Sequence, residues 1–470
     1  MNNTICAIAT GQGGAIGIIR ISGNNAIPAT QKIFRSASGQ ELSLQKGYTI
    51  IYGTIIDTTN SVIDEVLVSV FKAPHSYTGE DCVEISCHAS SYILQKISEL
   101  LINNGCAAAR PGEFTQRAFL NGKLDLSQAE AVADVIAAQS ASAHKIAINQ
   151  IRGGISKELQ KLREQLLHIK SLLELELDFS DHEDLEFADK EELMALAKHI
   201  NAEIDRLLGT FKLGNAIKNG IPVAIIGDTN AGKSTLLNRL VGEERAIVSD
   251  IRGTTRDVIE DTVVIDGVLF RFIDTAGIRE TTDVIEQMGI DRTFSKLRQA
   301  EIVLWVVDLE HADVEIANIY KQIASATSDS KLIILLNKTD IHDKDESEIK
   351  EHVLSLIHSD TKNSFSHDIS IFAISAKRGD GIDKLKATLS EFTKRLNTED
   401  VVLSNVRHFD AFKRANEALL RVIDGLQNAL SGEFISQDLH ECTEALGEII
   451  GEVSSQEVLN NIFSKFCVGK

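Results

Sequence analysis

The stretch that decides the fold runs from residue 222 to residue 234 and reads PVAIIGDTNAGKS. A short apolar run comes first, and residues 227–234 then fit the pattern G-x-x-x-x-G-K-[ST]. Glycines at these spacings let the backbone fold around phosphate groups, with N–H groups directed inward and a helix N-terminus behind them. We therefore predict a strand, a phosphate-binding loop and a helix that begins at Lys233.

Apolar runs alternate with helical patterns around and after this loop. The predicted strands cover residues 223–226, 268–273, 302–307, 332–336 and 369–374. Such alternation is typical of a mostly parallel sheet with helices on both of its faces.

Three further motifs follow predicted strands in the order expected of a GTP-binding domain. Residues 274–277 (DTAG) provide a carboxylate that can hold Mg²⁺ through water and an amide that can sense the γ-phosphate. In residues 337–340 (NKTD), the Asp340 carboxylate suits the N1–H and 2-amino donors of guanine, which adenine does not present as a pair. Residues 375–377 (SAK) would support the base. Together the motifs predict a Ras-like α/β P-loop G domain over residues 216–385, with GTP as its substrate.

The residue types in these motifs also predict metal ligands. The hydroxyl groups of Ser234 and of Thr255, in a segment placed like a switch I loop, are the expected Mg²⁺ ligands. The side-chain carbonyl of Asn230 is placed to coordinate a monovalent cation beside the phosphates. The residues predicted to bind GTP are Asn230, Ala231, Gly232, Lys233, Ser234, Thr235, Ser249, Asp250, Ile251, Arg252, Gly253, Thr254, Thr255, Asp274, Thr275, Ala276, Gly277, Asn337, Lys338, Asp340, Ser375, Ala376 and Lys377.

The residue that follows the DTAG motif is Ile278, where Ras-type enzymes carry a glutamine that positions water. An apolar side chain cannot orient water, so another group must do so. The chemistry of the following segment leaves four candidates open, which are Arg279, Glu280, Asp283 and Glu286.

The remainder of the 470-residue chain differs from this central zone in its pattern of strand-like and helical segments. Residues 1–118 predict an α+β domain, because short strand-like runs there accompany two helical patterns near 25–35 and 91–103. Helices are predicted from residue 124, over 155–177 and 190–208, and again beyond about residue 400. The G domain is therefore expected to be inserted into a helical domain made of residues 119–215 and 386–470.

Composition favours a cytoplasmic enzyme that has no membrane segment. The N-terminus does not read as a signal peptide, and no apolar run approaches the roughly 18 residues that span a bilayer. Six scattered cysteines form neither a disulfide framework nor a CxxC pair. The net charge of −20 argues against a broad basic surface for nucleic acid, although a local basic patch remains compatible with it.

The whole chain resembles the MnmE (TrmE) family of tRNA uridine-modification GTPases. The segments that carry the resemblance are GIIRISG (17–23), SYTGED (76–81), RPGEFTQRAFLNGKLDLSQAEA (110–131), GDTNAGKST (227–235), DIRGTTRD (250–257), DTAGIRE (274–280) and FCVGK (466–470). The block at 110–131 and the Cys-x-Gly-Lys end are specific to the family. The sequence departs from the family pattern at Asp228-Thr229, at Arg252 and at residues 87–90 (CHAS), which replace a Gly-rich turn near the expected folate site.

The resemblance implies an N-terminal domain that binds tetrahydrofolate and dimerises, using 5,10-methylene- or 5-formyl-tetrahydrofolate. The implied folate contacts are Arg20, Glu84, Lys123 and Lys470, and the implied functional thiol is Cys467. The implied K⁺ ligands are Asn230, Ser249, Ile251 and Thr254, and the implied catalytic residues are Glu286, which orients water, and Lys233. G domains of a homodimer would meet across their nucleotide faces when K⁺ and GTP are bound.

The resemblance also implies a reaction and partners. With the FAD-dependent protein MnmG (GidA) in a heterotetramer, the family adds an aminomethyl or carboxymethylaminomethyl group at C5 of the wobble uridine of certain tRNAs. Two alternative functions are less compatible with the sequence. A regulatory or ribosome-assembly switch GTPase would lack the 110–131 block and the FCVGK end, and a stand-alone one-carbon enzyme would need a catalytic constellation within residues 1–118 that is not evident.

Overall fold

Two sheets organise the chain in its computed structural model. The structure describes residues 3–11, 13–178, 190–228, 230–243, 261–273, 297, 299–327, 330–342, 346–359, 369–394, 401–428, 430–453 and 455–469. The chain divides into one unit of residues 1–136, 150–202 and 411–470 and another of residues 137–149 and 203–410.

The first unit contains a seven-stranded sheet built from the N-terminal part of the chain. Its strands are β1 (Thr4–Ile8), β2 (Ile16–Ser22), β3 (Phe34–Ser36), β4 (Thr49–Ile56), β5 (Val62–Phe71), β6 (Cys82–His88) and β7 (Cys106–Ala108). They lie in the order β3-β4-β5-β6-β2-β1-β7, and every pair is antiparallel except β1 and β7. The five longer strands confirm the strand-like runs that the sequence predicts over residues 5–9, 16–21, 48–56, 63–71 and 83–87. Strands β3 and β7 are too short to show a period in the sequence.

The α-helices of the described residues follow the predicted zones. They are α1 (Ala26–Ile33), α2 (Ser91–Asn103), α3 (Glu113–Leu120), α4 (Leu126–Ala137), α5 (Ala141–Ile151), α6 (Gly154–Asp178), α7 (Lys190–Asn219), α8 (Lys233–Glu243), α9 (Ala312–Ala326), α10 (Glu346–Ser359), α11 (Ile382–Lys394), α12 (Val406–Gln427), α13 (Gly432–Ile450) and α14 (Gln456–Ser464). No helix among the described residues is both long enough and apolar enough to cross a bilayer.

One face of the first sheet forms the core of the N-terminal region. Alternate residues of its strands, such as Ile19, Ile85 and Val68, are buried together with apolar residues of α1 and α2. Alternation with a period of two residues brings these side chains to the same face. The opposite face carries Arg20 and Glu84, which are neighbours across the β2–β6 pair.

The second unit contains a six-stranded sheet that confirms the predicted alternation. Its strands are β8 (Ile221–Ile226), β9 (Asp261–Ile265), β10 (Val268–Ile273), β11 (Ile302–Asp308), β12 (Lys331–Asn337) and β13 (Ser370–Ala373). The order is β13-β12-β11-β8-β10-β9, with all pairs parallel except β9 and β10. Helices α8 and α11 share a core with one face of the sheet, and α9 and α10 share a core with the other.

Two elements go beyond the predictions, namely strand β9 and helix α7, of which residues 203–219 belong to the second unit. Strand β9 pairs with β10 through a tight turn in which Asp266 and Gly267 have φ angles of 49° and 77°, the conformation of a two-residue hairpin. Helix α7 continues past the predicted end at residue 208. It includes Gly214, where a Cβ atom would lie 2.3 Å from the Leu403 carbonyl oxygen, so this glycine allows close packing rather than ending the helix.

Candidate functional site

The glycine-rich loop has the backbone conformation that its sequence predicts. It joins β8 to α8, and Gly227, Asn230 and Gly232 have φ angles of 143°, 66° and 102°. A Cβ atom on Gly227 would lie 2.0 Å from the Val306 carbonyl oxygen, and one on Gly232 would lie 2.1 Å from Asn337 Nδ2. Any other residue at either position would place its Cβ atom against these neighbouring atoms and would also have to adopt an unfavourable positive φ angle.

Lys233 is buried in the first turn of α8, and its ammonium group lies within the loop. Nζ donates to the carbonyl oxygen of Gly227 at 2.8 Å and to that of Asp228 at 2.6 Å. Burial lowers the pKa of Lys233, and the carboxylates of Asp228 and Glu315 oppose this shift. Phosphate oxygens at this place would give the ammonium group stronger, charge-assisted acceptors than the two carbonyls.

Asn337 connects three of the predicted motifs. It is the last residue of β12, and only 3% of it is exposed. Nδ2 donates to the Ala231 carbonyl oxygen at 2.7 Å, and Oδ1 accepts a hydrogen bond from the Ala376 backbone N–H at 3.0 Å. One buried amide thus holds the glycine-rich loop, the segment 337–340 and the segment 375–377 in fixed positions.

The carboxylate of Asp340 is oriented by Ser375. Ser375 Oγ donates to Asp340 Oδ1 at 2.7 Å and accepts a hydrogen bond from the Arg378 backbone N–H at 3.1 Å. The bond from Ser375 lowers the pKa of Asp340, so the carboxylate is ionised at neutral pH. An ionised carboxylate accepts hydrogen bonds only, which suits two adjacent N–H donors on a purine edge.

Lys338 spans the ends of two neighbouring strands. Its backbone has a φ of 69°, and its Nζ lies 2.5 Å from Oδ2 of Asp308, the last residue of β11. Burial alone would raise the pKa of Asp308, but the hydrogen bond from Lys338 holds that pKa below its ordinary value. The ion pair therefore fixes the lysine side chain at this edge of the sheet.

The remaining nucleotide-site predictions divide into two groups. Ser234 and Thr235 lie in the first turn of α8 and are exposed, and the Ser234 hydroxyl has the oxygen chemistry that Mg²⁺ prefers. The predicted residues that lie outside the described part of the chain are Ser249, Asp250, Ile251, Arg252, Gly253, Thr254, Thr255, Asp274, Thr275, Ala276, Gly277 and Glu286. Their roles stay predictions.

A second cluster forms around Arg20 on β2. The guanidinium group pairs with Glu84 at 2.8 Å and donates to the Gly469 carbonyl oxygen at 3.3 Å. Its central carbon lies 5.7 Å from the ring centroids of both Tyr77 and Phe114, within the range of cation–π attraction. Two of the four predicted folate contacts are thus in direct contact, with the end of the chain beside them.

The other residues predicted for the folate site differ in what the structure shows of them. Lys123 is exposed, and its Nζ donates to the Pro74 carbonyl oxygen at 3.2 Å, in the loop that leads to Tyr77. Lys470 lies outside the described residues. Cys467 is exposed, and its carbonyl oxygen accepts a hydrogen bond from Gly112.

Cys87, one of the residues that depart from the family pattern, points into the sheet core rather than toward Arg20. It belongs to the core cluster with α1 and α2, and burial raises the pKa of its thiol to about 11. The thiol is therefore protonated at neutral pH and packs as a small apolar side chain.

Several residues of these clusters were not assigned a role from the sequence. Tyr77 and Phe114 lie inside segments that were recognised, yet a single aromatic residue gives no sign that it will face a distant arginine. Trp305 and Glu315 were also missed. An acidic residue within a helical pattern is usually solvated, and only the fold places this one behind the glycine-rich loop.

The six-stranded sheet, with this loop at the end of an interior strand, defines a P-loop α/β protein. A family model described as the MnmE helical domain matches residues 126–467, and one described as "GTP-binding protein TrmE N-terminus" matches residues 4–123. The chain belongs to the MnmE family.

Curated relatives match the chain from end to end. A protein of Bacteroides thetaiotaomicron is 54% identical over 469 residues, covering 100% of this chain and 99% of its own length. One of Bacteroides fragilis is 55% identical over 476 residues, and one of Flavobacterium johnsoniae is 48% identical over 474, each with the same coverage. All three are named tRNA modification GTPase MnmE.

Proposed function

We propose that this chain hydrolyses GTP as part of the enzyme system that modifies C5 of the wobble uridine in certain tRNAs. The observation that carries the proposal is the bridge made by Asn337, which joins the phosphate loop to both segments that would read guanine. The relatives' shared name supports the tRNA-modifying role.

In this proposal each side chain of the nucleotide site has a defined task. Lys233 neutralises oxygens of the β- and γ-phosphates, and Asp340 accepts the two donors of the guanine edge. Ser234 and Thr255 supply hydroxyl oxygens to Mg²⁺, which would draw charge from the phosphates as the bond breaks. Asp274 would contact Mg²⁺ through water.

Glu286 is the proposed catalytic residue that orients the attacking water. The apolar Ile278 cannot take this role, and a carboxylate can accept a proton or a hydrogen bond from water. A K⁺ ion held by Asn230, Ser249, Ile251 and Thr254 would place a positive charge where other GTPases use an arginine.

GTP hydrolysis is expected to be roughly 10- to 100-fold faster in K⁺ than in Na⁺ at equal ionic strength, because a cation of fitting size stabilises charge that develops between the phosphates. Phosphate release by the full-length protein measures the rate in each salt. In Asn230→Ala, which removes the one proposed side-chain ligand in the described loop, the two rates should become nearly equal. Equal rates in the unsubstituted protein would remove the K⁺ site from the proposal.

The N-terminal cluster is proposed to bind a tetrahydrofolate that supplies the carbon. The acidic glutamate tail of a folate suits Arg20, Lys123 and Lys470, and the donors of its pterin ring suit Glu84. Support comes from the Arg20–Glu84 pair and from Gly469, which brings the chain end to the same arginine. Cys467, two residues before Gly469, is the proposed functional thiol.

The proposed organisation of the protein follows the family. Residues 216–385 would form the Ras-like G domain, inserted between helical parts 119–215 and 386–470, after an N-terminal domain of residues 1–118. We further propose a cytoplasmic homodimer that joins an FAD-dependent MnmG partner in a heterotetramer. GTP-driven meeting of the two G domains would then drive the conformational change.

Loss of the gene is expected to remove the modified wobble uridine from tRNA of the organism that encodes this chain. Mass spectrometry of tRNA nucleosides measures the modification. The wild-type gene and Lys413→Ala, a change at an exposed lysine of α12, should restore it, whereas Lys233→Ala should not. Persistence of the modified uridine in the deletion strain would refute the tRNA function and leave the GTPase proposal standing.

A further inference from the structure

A buried glutamate lies directly behind the glycine-rich loop. Glu315 is in the first turn of α9, and only 9% of it is exposed. Its carboxylate accepts a hydrogen bond from Trp305 Nε1 on β11 at 3.0 Å and another from the backbone N–H of Asp228 in the loop. Glu315 therefore connects the loop to the core of the sheet.

The peptide groups at the start of the loop are held from two sides. The N–H of Asp228 donates to Glu315, and the carbonyl oxygen of the same residue accepts from Lys233 at 2.6 Å. A phosphate in the loop would compete for the ammonium group of Lys233, whereas it would leave the bond to Glu315 in place. The carboxylate thus remains the loop's fixed contact to α9 when a nucleotide binds.

We propose that Glu315 is a positioning residue for the glycine-rich loop and that it takes up a proton when a nucleotide binds there. The inference rests on the proposed nucleotide site and deepens it. Two negatively charged groups, the carboxylate and the phosphates, would otherwise face each other across one turn of backbone. Protonation of the carboxylate removes their repulsion and still leaves oxygen atoms to accept from Trp305 and Asp228.

The surroundings of Glu315 favour such an uptake. Burial raises the pKa of Glu315, the hydrogen bond from Trp305 opposes this, and the carboxylate of Asp228 raises the pKa further. Lys233 acts in the opposite direction, and its attraction to Glu315 weakens if its ammonium group turns to a phosphate. On the same helix Asp313 is paired with His352 at 2.9 Å.

The sign of the pH dependence follows from these shifts. Bound phosphate raises the pKa of Glu315 above its already raised value in the free protein, so binding takes up a proton between the two values. The affinity for GDP is therefore highest at the acidic end of this window, and it falls as the pH rises through it. We expect the dissociation constant to increase about tenfold, which corresponds to a difference of about one pKa unit.

The single tryptophan of the chain provides a test in the protein without nucleotide. Because Trp305 donates to Glu315, its emission should change in a sigmoidal step as the carboxylate ionises, at a pH above the ordinary range of a glutamate because burial raises its pKa. Glu315→Gln keeps the shape and an oxygen acceptor but cannot ionise, so its emission should show no step. A step that persists in Glu315→Gln would assign the titration to another group and overturn the proposal.

The second test measures GDP binding by calorimetry across the pH range of the Trp305 emission step, in two buffers that differ in their enthalpy of ionisation. The unsubstituted protein should take up protons that Glu315→Gln does not, and the variant's affinity should vary less with pH. Glu348→Gln, which removes the same charge from an exposed position on α10, should behave as the unsubstituted protein does. The phosphate groups of GDP also titrate, but they contribute equally to all three proteins.

Different results would contradict the role of Glu315 and the nucleotide site itself. Equal proton uptake in the unsubstituted protein and in Glu315→Gln would overturn the role of Glu315 while GDP binding itself stands. If GDP does not bind at all, the nucleotide site fails and the coupling fails with it, although the Trp305 titration still shows whether Glu315 ionises. Thermal unfolding of Glu315→Gln near that of the parent protein would show that the isosteric change leaves the fold intact.

Discussion

Lys233→Ala is expected to lower GTP turnover by at least about 10³-fold, more than the loss of a single uncharged donor, because the side chain supplies a full positive charge to the phosphates. The structure places this charge inside the loop, with Nζ within 2.8 Å of the Gly227 carbonyl oxygen. Removing the ammonium group would leave the loop carbonyl oxygens and the phosphate oxygens facing each other with no positive charge between them. Steady-state phosphate release measures the loss, and calorimetric titration with GDP measures the accompanying fall in affinity.

Two other variants separate this effect from general damage. Lys413→Ala removes an exposed lysine of α12 and should leave turnover unchanged. Glu286→Ala, at the proposed water-orienting residue, should lower turnover while GTP binding stays nearly intact, since its task concerns only the attacking water. If Glu286→Ala lost binding and turnover equally, its proposed role would be wrong. Normal turnover in Lys233→Ala would contradict the nucleotide site itself.

Asp340→Asn is expected to change the preferred base from guanine to xanthine. In the proposed site the carboxylate would accept two hydrogen bonds, from the N1–H and 2-amino groups of guanine. An asparagine amide would instead offer an N–H donor that opposes the 2-amino group. Xanthine carries a carbonyl oxygen at that position, which pairs with the new donor. We expect a loss of about 10²- to 10⁴-fold for GTP, because the 2-amino group of guanine would meet a donor and be left without an acceptor.

The rotation of this side chain is set by Ser375, whose hydroxyl donates to Oδ1 at 2.7 Å. In the variant the asparagine oxygen can keep this bond, so its NH₂ group faces the base. Competition titrations with guanosine and xanthosine triphosphates measure the switch in preference. Asp383→Asn, at an exposed aspartate in the first turn of α11, makes the same charge change and should retain the preference for GTP. Retention of that preference in Asp340→Asn would exclude Asp340 as the base-reading group.

The sequence by itself determined the features that depend on neighbouring residues. The glycines of the phosphate loop, the predicted strands of the second sheet and the lysine that opens α8 follow from backbone conformation and periodicity, which act over a few residues. Residue type and motif likewise indicate that Lys233 suits phosphate and that Asp340 suits guanine, without any knowledge of the tertiary structure. Strand β9 was missed even though it pairs with β10 through the local Asp266-Gly267 turn. The true end of α7 was missed because Gly214 packs against Leu403, which is far away along the chain.

Only the tertiary structure decided which distant groups share a site. It places Asn337 between Ala231 and Ala376, and it brings Gly469 to Arg20 across 449 residues of chain. It also buries Glu315 behind a loop that is far away in sequence. Such contacts depend on how helices and sheets pack around a core, and no spacing within the sequence records that packing. The charge of Glu315 is visible in the sequence, but its burial, and therefore its coupling to the nucleotide, arises from the fold.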